Sequence, residues 1–471
     1  MHTARPGAPD RRRTHPLKDA AGALIVLCCA AVLSPVAAET DLLSVLEAAE
    51  EMDPTYREAR NSALAIAEGI PQAKAELYLP NLSFRAGTGR VRQDIELANA
   101  FGADGLVYYM QHNYGVNLEQ PVYHHDRIIA LRQADKRLQQ AQLEVVVARQ
   151  ELMLRVAERY FDVLAARDNL HFARAEKESL ERQLEQARQR FEVGLIAITD
   201  VQEAQAGYDR ALAGEISASN EIENATEALR EVTASYHDDL LVLGDSMPLN
   251  VPEPQDIEAW TRTAIDNNLE VQAALAAADI AREEISRQTA QHYPTVDIVG
   301  GHNFNRSGGR FGSAKVHQSD INLELNVPIY AGGQVLSRTR EAEHQHRVNL
   351  DRLEQARRAV QRDTRQAYLG ISARISSVKA LEQAVVSSRT ALESTRAGFE
   401  VGTRTAIDVV AAERVLSEAL RDLARARYDY IIDTLRLKKA AGSLAPSDLA
   451  VANSWLTGAA GGTEADTAQV R

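Results

Sequence analysis

Two carboxylates stand at the same place in two nearly identical phrases. "FEVGLIAITDVQ" begins at Phe191 and holds Asp200; "FEVGTRTAIDVV" begins at Phe399, 208 positions later, and holds Asp408. In each, a Val-Gly pair (Val193-Gly194, Val401-Gly402) comes a few residues before a threonine and the acid. Glycine just past a helix end is the usual left-handed cap, and a carboxylate in the first turn of the next helix is favoured by the helix dipole. The spacing therefore predicts a tight reversal between two helices, with the acid capping the second. Other reactive side chains lack the company that chemistry needs. His124-His125 and the pair His344 and His346 have no third ligand at a metal-binding spacing, and i, i+2 residues do not share a helix face, so they read as solvated. "GTGR" and "GGRFG" lack the strand-to-helix setting of a phosphate loop and read as turns. No nucleophile–base arrangement emerges, so no catalytic residue, cofactor or metal is assigned.

The elements that hold these phrases are themselves duplicated, and such a repeat sets the whole fold. Pro80 aligns with Pro294 at an offset of 214, Pro121 with Pro328 at 207, and Tyr160 with Tyr368 at 208. The drift falls in loops, where insertions are tolerated. Each half reads helix, two strands, long helix, the phrase, long helix. Ile128 to Arg190 contains no Pro or Gly, and Val335 to Ala397 contains only Gly370. At 1.5 Å per residue each stretch makes a helix of ~95 Å, a length suited to bridging a distance. After the second phrase Val409, Leu416, Leu423, Tyr430 and Leu437 recur every seven residues, interleaved with alanines; after the first, Val201, Tyr208, Ile222 and Leu229 do the same. Large residues facing alanines let antiparallel helices approach closely in a coiled coil.

The strands should follow Pro80, precede Pro121, follow Pro294 and precede Pro328. In "INLELNVPIY" the residues Ile321, Leu323, Leu325, Val327 and Ile329 alternate with polar or small ones. Such alternation makes a sheet with one apolar face. If that face meets lipid, the sheet can have no open edge, because unpaired backbone groups in hydrocarbon are costly. Membrane barrels need about eight strands or more and one chain offers four. A dimer would give eight and a trimer twelve, and only the larger number leaves a duct. The water-soluble alternative is a small sandwich capping a coiled-coil stalk.

Arg11, Arg12, Arg13 and Lys18 precede the run "AAGALIVLCCAAVL" and the small-residue site "PVAA". This predicts a secretory signal peptide, residues 1–38, cleaved after Ala38; the apolar run falls short of the ~20 residues of a spanning helix. Both cysteines leave with it. The segment carries five Lys/Arg against two Asp/Glu, so its removal moves the net charge from −13 to −16. An acidic surface argues against nucleic acid or anionic lipid as a partner. Residues 39–243 and 244–444 form the two repeats, and 445–471, small and polar, reads as a disordered tail.

The order of elements, "VGLIAITDVQ", "VGTRTAIDVV", "NVPIYAGGQV" and "ARYDYIIDTLRLKKAAGSL" resemble the outer-membrane factor family from roughly Thr40 to Leu449. That resemblance implies a mainly α fold with membrane β: long antiparallel coiled-coil helices forming an α-barrel across the periplasm, and four strands per chain given to a trimeric, twelve-strand β-barrel in the outer membrane. It implies a passive exit duct for drugs, other small molecules or secreted proteins, working with an inner-membrane pump and with a periplasmic adaptor that docks at the helix tips, Val193-Gly194 and Val401-Gly402. The rival expectation is a periplasmic coiled-coil scaffold or adaptor that conducts nothing. By position the resemblance gives Asp200 a pairing with Arg404 and with the residue at Phe399, closing the periplasmic end through links between neighbouring helices. Where the family's best-known member has tyrosine, Phe399 has no hydroxyl, so a hydrogen bond of ~1 kcal/mol is missing. Asp408 matches one of two aspartate rings at the constriction; Ala411 stands at the other. A ring of three Asp408 carboxylates would favour cations, and mutual repulsion would raise their pKa.

Overall fold

The computed structural model describes residues 40–95, 105–244, 247–309 and 312–457. The signal peptide, both cysteines and most of the loop "ANAFGADG" lie outside them. The chain opens with α1 (Leu42–Met52), α2 (Pro54–Ala67) and α3 (Gly69–Tyr78), then β1 (Asn81–Ile95) and β2 (Gly105–Tyr123). α4 (His125–Glu192) follows directly, then α5 (Ile198–Thr233) and the short β3 (Val242–Leu243). The second half repeats the order with α6 (Ile257–Asn267), α7 (Leu269–Thr289), β4 (Thr295–Ser307), β5 (Ala314–Asn326), α8 (Gln334–Glu400) and α9 (Ala406–Ala440). It closes with α10 (Pro446–Asn453) and β6 (Leu456–Thr457).

α4 and α8 span 68 and 67 residues, so each is ~100 Å long. Gly370 does not break α8; one glycine costs only about 1 kcal/mol, less than a long packed helix supplies. α5 lies along α4, α9 along α8, and α4 meets α9. The heptad seam is where the spacing predicts it: Val201, Ala204, Ala211, Ala218 and Leu229 are buried on α5, and Val409, Ala419, Ala426, Tyr430 and Leu437 on α9.

The four long strands form one antiparallel sheet in the order β1-β2-β4-β5. Residues that pair in register share a face. One face carries Leu82, Phe84, Val116, Ile321, Leu323 and Leu325; the other carries Arg85, Asn113, Asn117, Asn303, Asn305 and Asp320. Leu82 is 68% exposed and Ile321 75%, an apolar face left uncovered by its own chain. At Pro121, which has no N–H to give the ladder, the β2–β4 register shifts. There β2 runs into α4.

The principal core lies at the waist of the helices, where Tyr160, Phe161, Leu164, Tyr428 and Ile431 are buried together with Leu42 and Val45 of α1. Tyr160 donates its hydroxyl to the Leu241 carbonyl at 2.9 Å, tying the connection after α5 to α4. The expected tail is ordered through Thr457. Leu449, Ala452 and Leu456 are buried, β6 pairs with β3, and Asn453 donates to Asp41 at 2.9 Å. Two apolar residues of α10 and one of β6, enough to dock the segment on the waist, are easily missed in a polar stretch. Residues 458–471 lie outside the described part.

Candidate functional site

Both repeated phrases fold as the same turn. Val193 caps α4; Gly194, at φ +76°, donates its N–H to Phe191 O at 2.9 Å, and Leu195 donates to Arg190 O at 2.8 Å. In the second copy Gly402, at φ +78°, donates to Phe399 O at 3.1 Å and Thr403 to Gly398 O at 2.8 Å. This bonding satisfies the last carbonyls of each helix and needs a left-handed residue, which glycine adopts without strain. The flanking apolar side chains gain little burial: Val193 is 70% exposed and Val401 76%.

The two acids cap the outgoing helices, as the spacing predicts, with unequal completeness. Thr405 donates both its N–H (2.8 Å) and its hydroxyl (2.9 Å) to Asp408, and its hydroxyl oxygen lies 3.3 Å from the Asp408 N–H, a full capping box. In the first copy Ala197 donates its N–H to Asp200 at 3.2 Å but has no side-chain acceptor to return the bond. The Thr405 backbone and hydroxyl bonds hold the Asp408 carboxyl below its ordinary 3.8. Within one chain the direction is therefore opposite to that expected from repulsion around a ring.

Behind the turns lies a cleft of about 960 Å³ that brings Asp200, Phe399 and Arg404 together with Val193, Gly402 and Thr405. No Asp200–Arg404 ion pair forms within the chain among the described residues. Asp200 turns to the Ala197 N–H, and the Arg404 stem packs over Gly398, where an added Cβ would meet Arg404 Cγ at 2.8 Å. Phe399 instead faces the guanidinium of Arg190, whose Cζ lies 4.5 Å from the ring centroid, a cation–π contact.

The floor of the cleft holds a residue that the motif reading misses. Glu413 on α9 is 5% exposed and accepts hydrogen bonds from Ser179 of α4 and Arg396 of α8 through one carboxylate oxygen. Its other oxygen is buried with no partner, as is Oε1 of Gln183 in the same cleft. The available signal was a glutamate four residues after the seam residue Val409, on the face that packs inward.

His344 is exposed as expected, whereas His124 and His125 depart from expectation. His124 is buried at the strand–helix joint, its Nε2 2.8 Å from Asp297 of β4, and the His125 ring lies 5.0 Å from that of Tyr293. Burial with an acid partner 173 positions away is invisible to local spacing. Among the described residues no cluster of metal-ligating side chains occurs, and no helix is long and apolar enough to cross a membrane.

The family profile described as outer membrane efflux protein matches residues 45–235 and 260–443. The chain belongs to that family. The two matched segments fall on the two halves of the repeat. The outer membrane protein TolC of Vibrio cholerae is 37% identical over 92% of this chain and 98% of its own length. The alkaline protease secretion protein AprF of Pseudomonas aeruginosa is 28% identical over 88% of each. The crystal structure of the Campylobacter jejuni CmeC outer membrane channel superposes with a TM-score of 0.72 at 16% identity, over 88% of this chain and 90% of that one; this likeness shows the fold. As an outer membrane efflux protein, the chain is an outer-membrane exit duct of the efflux and type I secretion kind.

Proposed function

We propose that three copies close the sheet into a twelve-strand barrel and the helices into a periplasmic tunnel, which passively conducts drugs, other small molecules or secreted proteins outward. The observation that carries this is the four-stranded sheet, with an exposed apolar face and two unpaired edges, β1 and β5. Lipid accepts such a face only when no edge is open; pairing β5 of one copy with β1 of the next removes every edge. The Asn-rich face then lines the bore.

At the other end the tips form the gate. Arg404 takes part in no salt bridge within the chain among the described residues, so the link to Asp200 is one between neighbouring copies. Asp408 rings the neck three times and favours cations. The exposed turns at Val193-Gly194 and Val401-Gly402 are the docking points for a periplasmic adaptor, which joins the duct to an inner-membrane pump. AprF, named for protease secretion, supports proteins among the cargoes; the TolC relative leaves small molecules equally open.

The test is single-channel conductance of the purified mature protein in a planar bilayer, wild type against Asp408→Asn. A steady, cation-preferring current that loses selectivity in the variant is expected. Well-folded, detergent-extracted protein that gives no channel would overturn the duct.

A further inference from the structure

The apolar face of the sheet is not uniform along its length. Its in-register rows can be followed from the helices toward the hairpin ends. Rows nearest the helices hold Leu325 and Val296, then Leu323 and Ile298, then Leu82, Leu118 and Ile321. Next come Phe84 and Val116 abreast of His302 and Ser319, and farther out an aromatic row, Tyr114–Phe304–His317, with ring centroids 4.6 Å and 4.8 Å apart. The next row changes character: Thr88, His112, Arg306 and Lys315 lie abreast across all four strands, with Thr88 Oγ1 2.9 Å from His112 Nδ1. Beyond it Arg90 lies over the Tyr108 ring at 5.0 Å, and Arg92 follows on the same face.

Every Arg or Lys that this face presents among the described residues is in those outer rows, against one carboxylate, Asp94. Aromatic side chains of membrane barrels gather at the boundary between hydrocarbon and headgroups. One row is two residues, roughly 6.8 Å along the strand, so the cations begin where headgroups begin, and Arg and Lys stems reach further. α4 and α8 leave the sheet at the opposite end. With the helices in the periplasm, the basic rows face the outer leaflet. The net charge of −13 is an average over the chain and conceals this local excess, so this face is suited to anionic lipid although the chain as a whole is acidic.

The geometry points to a binding belt for the phosphate groups of outer-leaflet glycolipid, formed by Arg306, Lys315, Arg90 and Arg92 and repeated on each copy around the barrel. Guanidinium groups grip phosphate in a bidentate fashion and lysine adds a point charge. Such lipid would seal the barrel laterally where its aromatic row ends. This inference rests on the outer-membrane duct reading.

The probes are purified bisphosphorylated lipid A, the same lipid after enzymatic dephosphorylation, and inorganic phosphate. Retention on the detergent-solubilised assembly is read by native mass spectrometry. Wild type is expected to hold lipid A about tenfold or more tighter than the dephosphorylated lipid, and Arg306→Gln/Lys315→Gln with Arg90→Gln/Arg92→Gln to lose that preference. Equal retention of both lipids by wild type, or undiminished retention of lipid A by the fourfold variant, would overturn the belt. Displacement of lipid A by millimolar inorganic phosphate would replace it with a free-anion site. If the fourfold variant fails to assemble, the two-lipid comparison on wild type still decides. Conductance measured on the same preparations separates the two readings: wild type that forms normal channels yet shows no preference between the two lipids sinks the belt alone, and absent channels in wild type sink the duct.

Discussion

The same helices are held in opposite ways at their two levels. At the waist, α4 and α9 are clamped where Phe161 stacks on Tyr428 at 5.6 Å between centroids, with Tyr160 of α4 edge-on to Phe161 at the same distance. α1, α10 and the β3–β6 pair wrap one side. On the other side ion pairs cross between helices, Arg425 to Asp162 at 2.9 Å and Arg436 to Glu158 at 2.6 Å. At the tips, Leu184, Ala187, Val201 and Ala204 form a small buried cluster and Val409 is also buried; capping bonds, the Arg190–Phe399 contact and the buried Glu413 make up the rest among the described residues. Few buried apolar contacts mean low local stability, so the waist is the fixed collar and the tips are the part able to move.

The largest effect should come from the collar. Phe161→Ala removes a fully buried ring and should cost about 3–5 kcal/mol, seen as a lower melting temperature of the assembly; an unchanged melt would break the contrast. Next is Arg396→Ala, which strands Glu413 in the cleft. It should cost about 2–3 kcal/mol, below the value for a fully buried pair because Arg396 is half exposed. Hydrogen exchange should then quicken at the tips and not at the waist, and adding Glu413→Gln should restore protection. Thr405→Ala, which loses one side of the capping box, should cost about 1 kcal/mol, read as faster exchange in the first turn of α9. Phe399→Tyr with Ala411→Asp should lower closed-state conductance by restoring a hydroxyl and a second acidic ring; equal conductance would count against a loose neck.

The smallest effect expected is on pH. Asp408 is held below 3.8 by Thr405, so its cap is present above that value and lost as pH falls through the lowered one. Cation preference should therefore stay flat between about pH 7 and pH 5. A titration near pH 6 would mean that repulsion among the three carboxylates outweighs the cap. Glu284 offers a control away from the tips. Burial alone would raise its carboxyl, yet hydrogen bonds from Arg287, Gln133 and Gln288 bring it from its ordinary 4.5 to about 2. Its contribution is present above about pH 4.5 and fades toward pH 2.

What could be read from the sequence was periodic or local. The repeat, the two Pro- and Gly-poor helices, the alternation of Ile321, Leu323 and Leu325, and the Val-Gly caps each depend on neighbours a few residues away. The missed features depend on distance. Ser179 reaches Glu413 across 234 positions, and Asp297 reaches His124 across 173. Arg190 covers Phe399 because the two tips sit side by side, which no single phrase reveals. No Asp200–Arg404 link forms within the chain among the described residues, where Asp200 turns to the Ala197 N–H. In the tail, the buried Leu449, Ala452 and Leu456 hardly alter the composition of a polar segment.

The two free strand edges bear on inheritance as well as architecture. A ring closed edge to edge has no spare position, so a copy with a spoiled β1 or β5 edge stops the whole ring. In the three-copy barrel proposed above, faulty and sound copies made in equal amounts and mixed at random would leave only about one ring in eight free of a faulty member. Edge mutations in this chain should therefore behave as dominant lesions in a cell that also carries the normal gene, whereas losses that prevent a copy from being made should be recessive.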